Sequence, residues 1–550
     1  MRAFDSIVFG HHRYTRIHCA GDKPAQFLDD GASAFEGGIF RGAGHREHDD
    51  WRYEAAPGTL TQMSRTVADP RTDRAFFGHP RGLANLFGVE VWERFSFYGM
   101  LACLTLYLYY AAAGPDPGLG LPKATAASLV GAYGGLVYVS TIAGSWIADR
   151  VLGAERTLFF SAVLVMIGHI ALAILPGFAG VGAGLACVAL GSGGVKGNAT
   201  AVVGTLYAAN DDRRDAGFSL FYMGINVGAL LGPLLTGLTR SALGFHYAFG
   251  VAAAGMAFGL VQYTLGRANL GSEASVVPNP LPRSRWITVA SGVALVTAAV
   301  AVLVVLGVIT LANLSTIVVV VCGVAAAAYF TILLTSRKIT AVERSRVQAF
   351  IPLFVANAAF WSLFQQYFTV VEIYADRRVD KHLFGWQMPT EWVISFDPVF
   401  VIVLAPMFAL LWTRLGSRQP STPVKFALGN VMMGLAFLLF VPWAAGTGSS
   451  TPLLAVAFIV LMFATGELLI SPIGLSLATK ISPKVFRSQT VALYFLSVAL
   501  GTAMSGSLAG YYSPQHEAPY FGGLGVAAIV VGLIVVAISP IIRRLLAGIR

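Results

Sequence analysis

The sequence predicts an all-α polytopic membrane protein, and three observations predict it. Fourteen apolar runs follow one another from about residue 86 to residue 541, each long enough for a hydrocarbon core about 30 Å thick. The chain is 56% hydrophobic and 12% charged, with a mean hydropathy of +0.67, whereas a soluble enzyme would carry about 25% charged residues. The Lys and Arg residues fall in short clusters between the runs. The net charge of +10 therefore follows from the retention of cations on the cytoplasmic side and requires no nucleic acid partner.

Taken in order, residues 1–62 are polar, rich in Gly, His, Asp and Arg, and contain no apolar run long enough for a signal-peptide core. They read as disordered, either translated upstream of a natural start at Met63 or serving as a regulatory tail. The spanning runs then cover 86–110, 126–148, 156–176, 179–203, 216–239, 247–266, 286–310, 313–335, 349–374, 394–414, 423–443, 452–479, 488–512 and 519–541. If the connection after the second run and every alternate one is cytoplasmic, roughly twenty basic residues lie inside against about five outside. Arg150, Arg156, Arg213, Arg337, Lys338, Lys480 and Arg543 are among them. Both termini are then cytoplasmic and the membrane is the cell membrane. Cys103, Cys187 and Cys322 sit in apolar runs without metal-ligand spacing, so neither a disulfide nor a metal is expected.

The first run contains GVEVWERFSFYGM, residues 88–100, and so carries Glu90, Glu93 and Arg94. A charge at mid-bilayer costs roughly 2.5–3.5 kcal/mol on insertion scales, so such residues face a bundle interior and mark a pathway. Glu90 and Arg94 stand at i,i+4 and can pair on a helix. One Arg cannot neutralise two carboxylates, so the surplus must find a proton or another cation. After the second run comes GSWIADRVLGAERT, residues 144–157. Gly144 and Gly153 suit a tight turn there, and Asp149 can cap the next helix or pair with Arg150 and Arg156. This stretch resembles the short loop motif of the major facilitator superfamily.

Two further stretches narrow the resemblance. GSGGVKGN at 191–198 places Lys196 in an apolar helix, and FSLFYMGINVGALLGP at 218–233 places Tyr222 and Asn226 one turn apart. With VEVWERFSFYGM they resemble the signatures ExxERFxYY, GxGGxK and FYxxINxG of the proton-dependent oligopeptide transporters. The likeness runs from about Phe77 to the end of the chain, through KFALG at 425–429 and GELLISPIGLS at 466–476. It implies the major facilitator fold, with a six-helix bundle over about 80–270, a second over about 345–545, and a two-helix insertion at 286–335. The insertion has almost no polar residue and reads as peripheral packing.

The same resemblance implies a proton-coupled symporter importing di- and tripeptides, with the proton as coupling ion and no other cofactor. Arg94 and Lys196 would receive the peptide carboxylate, Glu467 the amine, and Asn226 and Ser471 would add polar contacts. Tyr98, Tyr138, Tyr222, Trp361 and Tyr494 would form the walls. Glu90 and Glu93 would carry protons, and no nucleotide-binding signature offers another energy source. This chain departs from the family pattern at three positions. Phe97 replaces a tyrosine and removes a hydroxyl that could reach substrate; Gln365, in FWSLFQQYF, stands where many bacterial members have a proton-carrying glutamate; and Asp397, in SFDPVF, replaces the usual Asn. Asp397 either takes over protonation and amine binding or caps a helix before Pro398. No HExxH, GxSxG or paired-His spacing supports a membrane enzyme. A transporter of another small substrate, and a peptide receptor that has lost proton coupling, remain the competing readings.

Overall fold

Inside a bilayer no water satisfies the backbone, so a spanning segment must pair its own N–H and C=O groups as a helix. The computed structural model describes residues 73–208, 211–444, 448 and 450–549. The extension 1–62 and the start at Met63 lie outside the described residues. Six helices form the first half: α1 (Arg81–Tyr109), α2 (Lys123–Ile147), α3 (Ala154–Ile174), α4 (Gly177–Thr205), α5 (Arg214–Leu243) and α6 (Phe245–Gly266). Two follow, α7 (Trp286–Val305) and α8 (Leu314–Thr335). The second half holds α9 (Ala341–Phe364), α10 (Phe396–Leu415), α11 (Thr422–Leu438), α12 (Leu453–Ile481), α13 (Arg487–Ala509) and α14 (Glu517–Leu545). Among the described residues, 13 helices are apolar and long enough to cross a membrane. The fourteenth is α1, whose apolar run is interrupted by Glu90, Glu93 and Arg94.

Within the first half α1 packs against α5 and α6, and α3 against α4; within the second, α11 packs against α14 and α12. The halves meet where α2 crosses α13. A Cβ on Gly131 would lie 2.4 Å from the Gly506 Cα, so the backbones approach as closely as they do only because neither residue has a side chain. Large apolar side chains left exposed, such as Leu265 at 81% and Phe258 at 66%, suit an outer surface solvated by lipid.

Four local features differ from the sequence reading. α7 is peripheral, with no buried residue, but α8 packs on α2, α9 and α13. Its buried Ser315 meets Ser128 of α2 at 2.7 Å and Ser507 of α13 at 3.3 Å, so a hydroxyl at the head of an apolar run ties α8 to both halves. The ninth run is not one helix: α9 ends at Phe364, Gln365–Phe368 form a 3-10 turn, and Val370–Arg378 form a separate short helix. α12 runs unbroken through Pro472, where the proline's missing N–H predicts a break or kink. Finally, α2 continues through a π-helical turn, Ala148–Leu152, to Gly153 at φ 82°. Added there, a Cβ would meet the Ser275 carbonyl oxygen at 2.6 Å. Asp149 neither caps α3, whose cap is Gly153, nor joins an ion pair among the described residues. The loop is held by its backbone instead: the Asp149 and Arg150 carbonyls accept from the Asn279 and Leu281 N–H groups at 3.0 and 2.8 Å.

Candidate substrate and proton site between the two halves

The i,i+4 spacing on α1 brings Arg94 Nε to 2.7 Å from Glu90 Oε1, and the same nitrogen lies 3.4 Å from Glu93 Oε2. Ser192 of α4 donates to Glu93 Oε1 at 2.6 Å. All three charged residues are buried, and Oε2 of each glutamate accepts no hydrogen bond. One guanidinium thus serves two carboxylates, an excess of one negative charge that a single proton would balance. Arg94 is held rather than free.

Lys196, by contrast, is not held by a carboxylate among the described residues. Its Nζ stands 4.4 Å from the Phe97 ring centroid and 4.8 Å from that of Tyr138, and it joins no ion pair among the described residues. Phe97 is buried, stacked on Tyr133 and edge-on to Tyr98. Its position is therefore a cation–π wall for Lys196, not simply the loss of a hydroxyl facing substrate.

Two carboxyls answer these cations from the second half. Asp397 lies in the first turn of α10, whose N-cap is Ser395 and which has no side-chain cap hydrogen bond. Its Oδ1 is buried without a partner, so the helix-cap alternative does not describe it. Glu467, on α12, makes no ion pair among the described residues. Tyrosines link the two sets. Tyr98 and Tyr222 lie within electrostatic reach of Arg94, Glu467 and Asp397, and Tyr138 within reach of Arg94, Glu93 and Glu467. Tyr494 faces Tyr138, Tyr222 and Glu467, and its hydroxyl donates to the Ser471 backbone carbonyl at 3.1 Å. Ser471 is thereby engaged through its main chain.

Two expected participants are placed differently, while Gln365 is the departure already seen in the sequence. Asn226 turns back on its own helix, donating to the Tyr222 carbonyl at 3.3 Å. Trp361 is buried among Phe360 and Phe364 with Nε1 unpartnered. Gln365 is half-buried at the start of the 3-10 turn and has no proton to lose.

A second constellation was not singled out from the sequence. Arg240, near the end of α5, grips Glu391 with Nε at 2.6 Å and Nη2 at 3.0 Å, while Nη1 reaches Asp116 at 3.1 Å. Around this fork Trp392 Nε1 donates to the Leu234 carbonyl at 3.0 Å and Ser395 to that of Leu230 at 3.0 Å. Thr105 donates to the Phe368 carbonyl at 2.6 Å, and the Tyr109 and Tyr110 hydroxyls both reach Asp376. Apart from the Arg240–Asp116 contact, which stays within the first half, each of these ties joins the first half to the second, and all lie toward the end where α1 finishes. At the opposite end of α5, Tyr222 is 45% exposed although it shares the charged cavity. The two halves are thus tied together at the end where α1 finishes, while Tyr222 keeps part of its surface exposed. The available signal was an Arg terminating an apolar run and a Glu leading into SFDPVF, but nothing in spacing pairs residues 151 positions apart.

Buried charges divided between two helical halves that are tied together at one end define a multi-pass membrane transporter. The chain belongs to the POT family, whose model matches residues 155–523, and it has the major facilitator fold of that family's solved members. It is 42% identical over 478 residues to "Uncharacterized transporter YclF" of Bacillus subtilis (strain 168), covering 86% of this chain and 97% of that one. It is 37% identical over 493 residues to the "Di-/tripeptide transporter" of Lactococcus lactis subsp. cremoris, covering 87% and 99%. Among solved structures, a mutant of peptide transporter POT in complex with alafosfalin matches with TM-score 0.83 and 44% identity, covering 88% and 99%.

Proposed function

We propose that this chain imports di- and tripeptides across the cytoplasmic membrane as a proton-coupled symporter, by alternating access. The observation that carries the reading is the division of charge across one cavity: Arg94 and Lys196 in the first half, Glu467 and Asp397 in the second. A short peptide is a zwitterion with fixed ends and a variable middle. Its carboxylate fits the cations, its amine the carboxyls, and tyrosine walls tolerate varied, partly wet side chains. The likeness to a di-/tripeptide transporter and to a peptide transporter bound to alafosfalin supports the same substrate class.

Coupling follows from the crowded carboxylates. A proton on Glu90 or Glu93 loosens that group's hold on Arg94 and frees the guanidinium for the substrate carboxylate. In the second half Gln365 cannot serve, and Asp397 beside Glu467 supplies two carboxyls able to share a proton. On this reading the α1 N-terminal end and both termini are cytoplasmic, which the excess of basic residues around that end supports. The Arg240–Glu391 closure then faces outward and the charged cavity inward.

Counterflow and uphill uptake in proteoliposomes separate the parts of this reading. Wild-type protein is expected to exchange labelled dipeptide and to concentrate it when the lumen is alkaline. Asp397→Asn is expected to lose concentration against a gradient while exchange persists. Uphill uptake by Asp397→Asn at the wild-type level would leave coupling to Glu90 and Glu93 alone, and binding without exchange by the wild type would make the protein a receptor.

A further inference from the structure

The short helix Val370–Arg378 contains a carboxyl that the substrate cavity does not use. Glu372 is 1% exposed, and neither of its oxygens has a hydrogen-bond partner. It lies one helical turn before Asp376, on the short helix that follows the 3-10 turn holding Gln365. Its charged neighbours among the described residues either repel an anion there or are already engaged. Glu391 and Asp376 are acidic. Arg240, the nearby cation, spends Nε and Nη2 on Glu391 and Nη1 on Asp116. Cys103 and Tyr109 of α1, and Tyr367, are the remaining titratable groups within its electrostatic reach. Thr105 adjoins it, but that hydroxyl gives its hydrogen to the Phe368 carbonyl. Thr105 can therefore accept a hydrogen bond from a protonated Glu372 but has no hydrogen left for an anionic one.

We infer that Glu372 is a proton-binding site of the outer closure, loaded from the outer solution, and that the two halves close over it only when it holds a proton. The inference rests on the alternating-access reading above. A buried carboxylate with no donor and no free cation is strongly disfavoured, whereas the neutral acid is not. Opening requires the Arg240–Glu391 fork to part, which exposes Glu372 to outer water. There the acid releases its proton to water, and closing takes one proton back onto a carboxylate oxygen. The closed form thus binds one proton more than the open form. Raising the outer pH favours opening, by up to about tenfold in the open-to-closed ratio per pH unit for one linked proton.

Cys103 reports this directly, because it is fully buried in the closed form and sits among Glu372, Glu391 and Arg240. In proteoliposomes, an impermeant thiol reagent is applied outside at a series of outer pH values, and labelling at Cys103 is quantified by mass spectrometry. The wild type is expected to gain labelling more steeply with pH than the thiol's own ionisation provides, by up to about tenfold per pH unit. Glu372→Gln, which mimics the protonated acid, is expected to show only the thiol's own slope; Glu372→Asp is expected to keep the steeper one. A wild-type curve following thiol ionisation alone would overturn the inference, with no variant needed. So would Glu372→Gln labelling with the wild-type slope. The labelling uses no peptide, so this inference and the peptide-transport reading can fail separately.

Discussion

Removing the Arg240 side chain should open the closed end of the molecule. Arg240 bonds Glu391 through two nitrogens at 2.6 and 3.0 Å, and the Glu391 side chain is fully buried. Taking one partner from a buried pair leaves an uncompensated charge and costs about 3–5 kcal/mol. The third contact adds little, because the Asp116 side chain is 35% exposed and screened by water. The cost falls on the closed form alone, since opening hydrates Glu391. At about 1.4 kcal/mol per tenfold, Arg240→Ala should shift the closed-to-open ratio by roughly a hundredfold to a few thousandfold. Arg240→Lys keeps the charge but loses the fork, and should fall between. Spin labels at Leu243, on the first half, and Phe384, on the second, are both on exposed sites and report the separation by pulsed electron resonance. The Arg240→Ala distance distribution should move to a long component, with uptake lost. An unchanged distribution with normal uptake would show that the fork does not hold the halves together.

Three further outcomes follow. Lys196→Ala should abolish peptide uptake while leaving the protein folded in detergent, because Lys196 joins no ion pair among the described residues and its ammonium rests against the Phe97 and Tyr138 rings; normal uptake would remove it from the site. Glu467→Gln should weaken binding of free dipeptides far more than of N-acetylated ones, measured by competition, and equal losses would contradict an amine contact. Gly131→Val places a branched side chain where a Cβ alone already meets the Gly506 backbone at 2.4 Å. Overpacking of this kind costs about 1–3 kcal/mol, so the thermal midpoint in detergent should fall, and an unchanged midpoint would show that α2 and α13 do not need so close an approach.

Much of this architecture is legible in the sequence because a bilayer leaves few choices. A run of some twenty apolar residues must be a helix, and a charge inside one must face a partner or water. Glu90, Glu93 and Arg94 were visible on that ground, and Lys196 among glycines likewise. What the sequence concealed depends on long-range contact. Arg240 and Glu391 lie in different halves, and either could pass for an ordinary residue at a helix end. Phe97 looked like a missing hydroxyl until Lys196 was found over its ring. Ser315 looked like any serine in an apolar run, yet it joins α2 and α13. Glu372 sits in an apparently amphiphilic stretch, VEIYADRR, and only the packing shows that it is sealed without a partner.

The central claim is that a proton gradient drives a zwitterionic peptide through a cavity with cations on one half and carboxyls on the other. The most direct measurement is uptake of labelled dialanine into proteoliposomes with an alkaline lumen. The account predicts a luminal concentration that rises above the outer one and collapses to equality when a protonophore is added. Entry that stops at equality with the gradient intact, or that continues uphill after the protonophore, would contradict it.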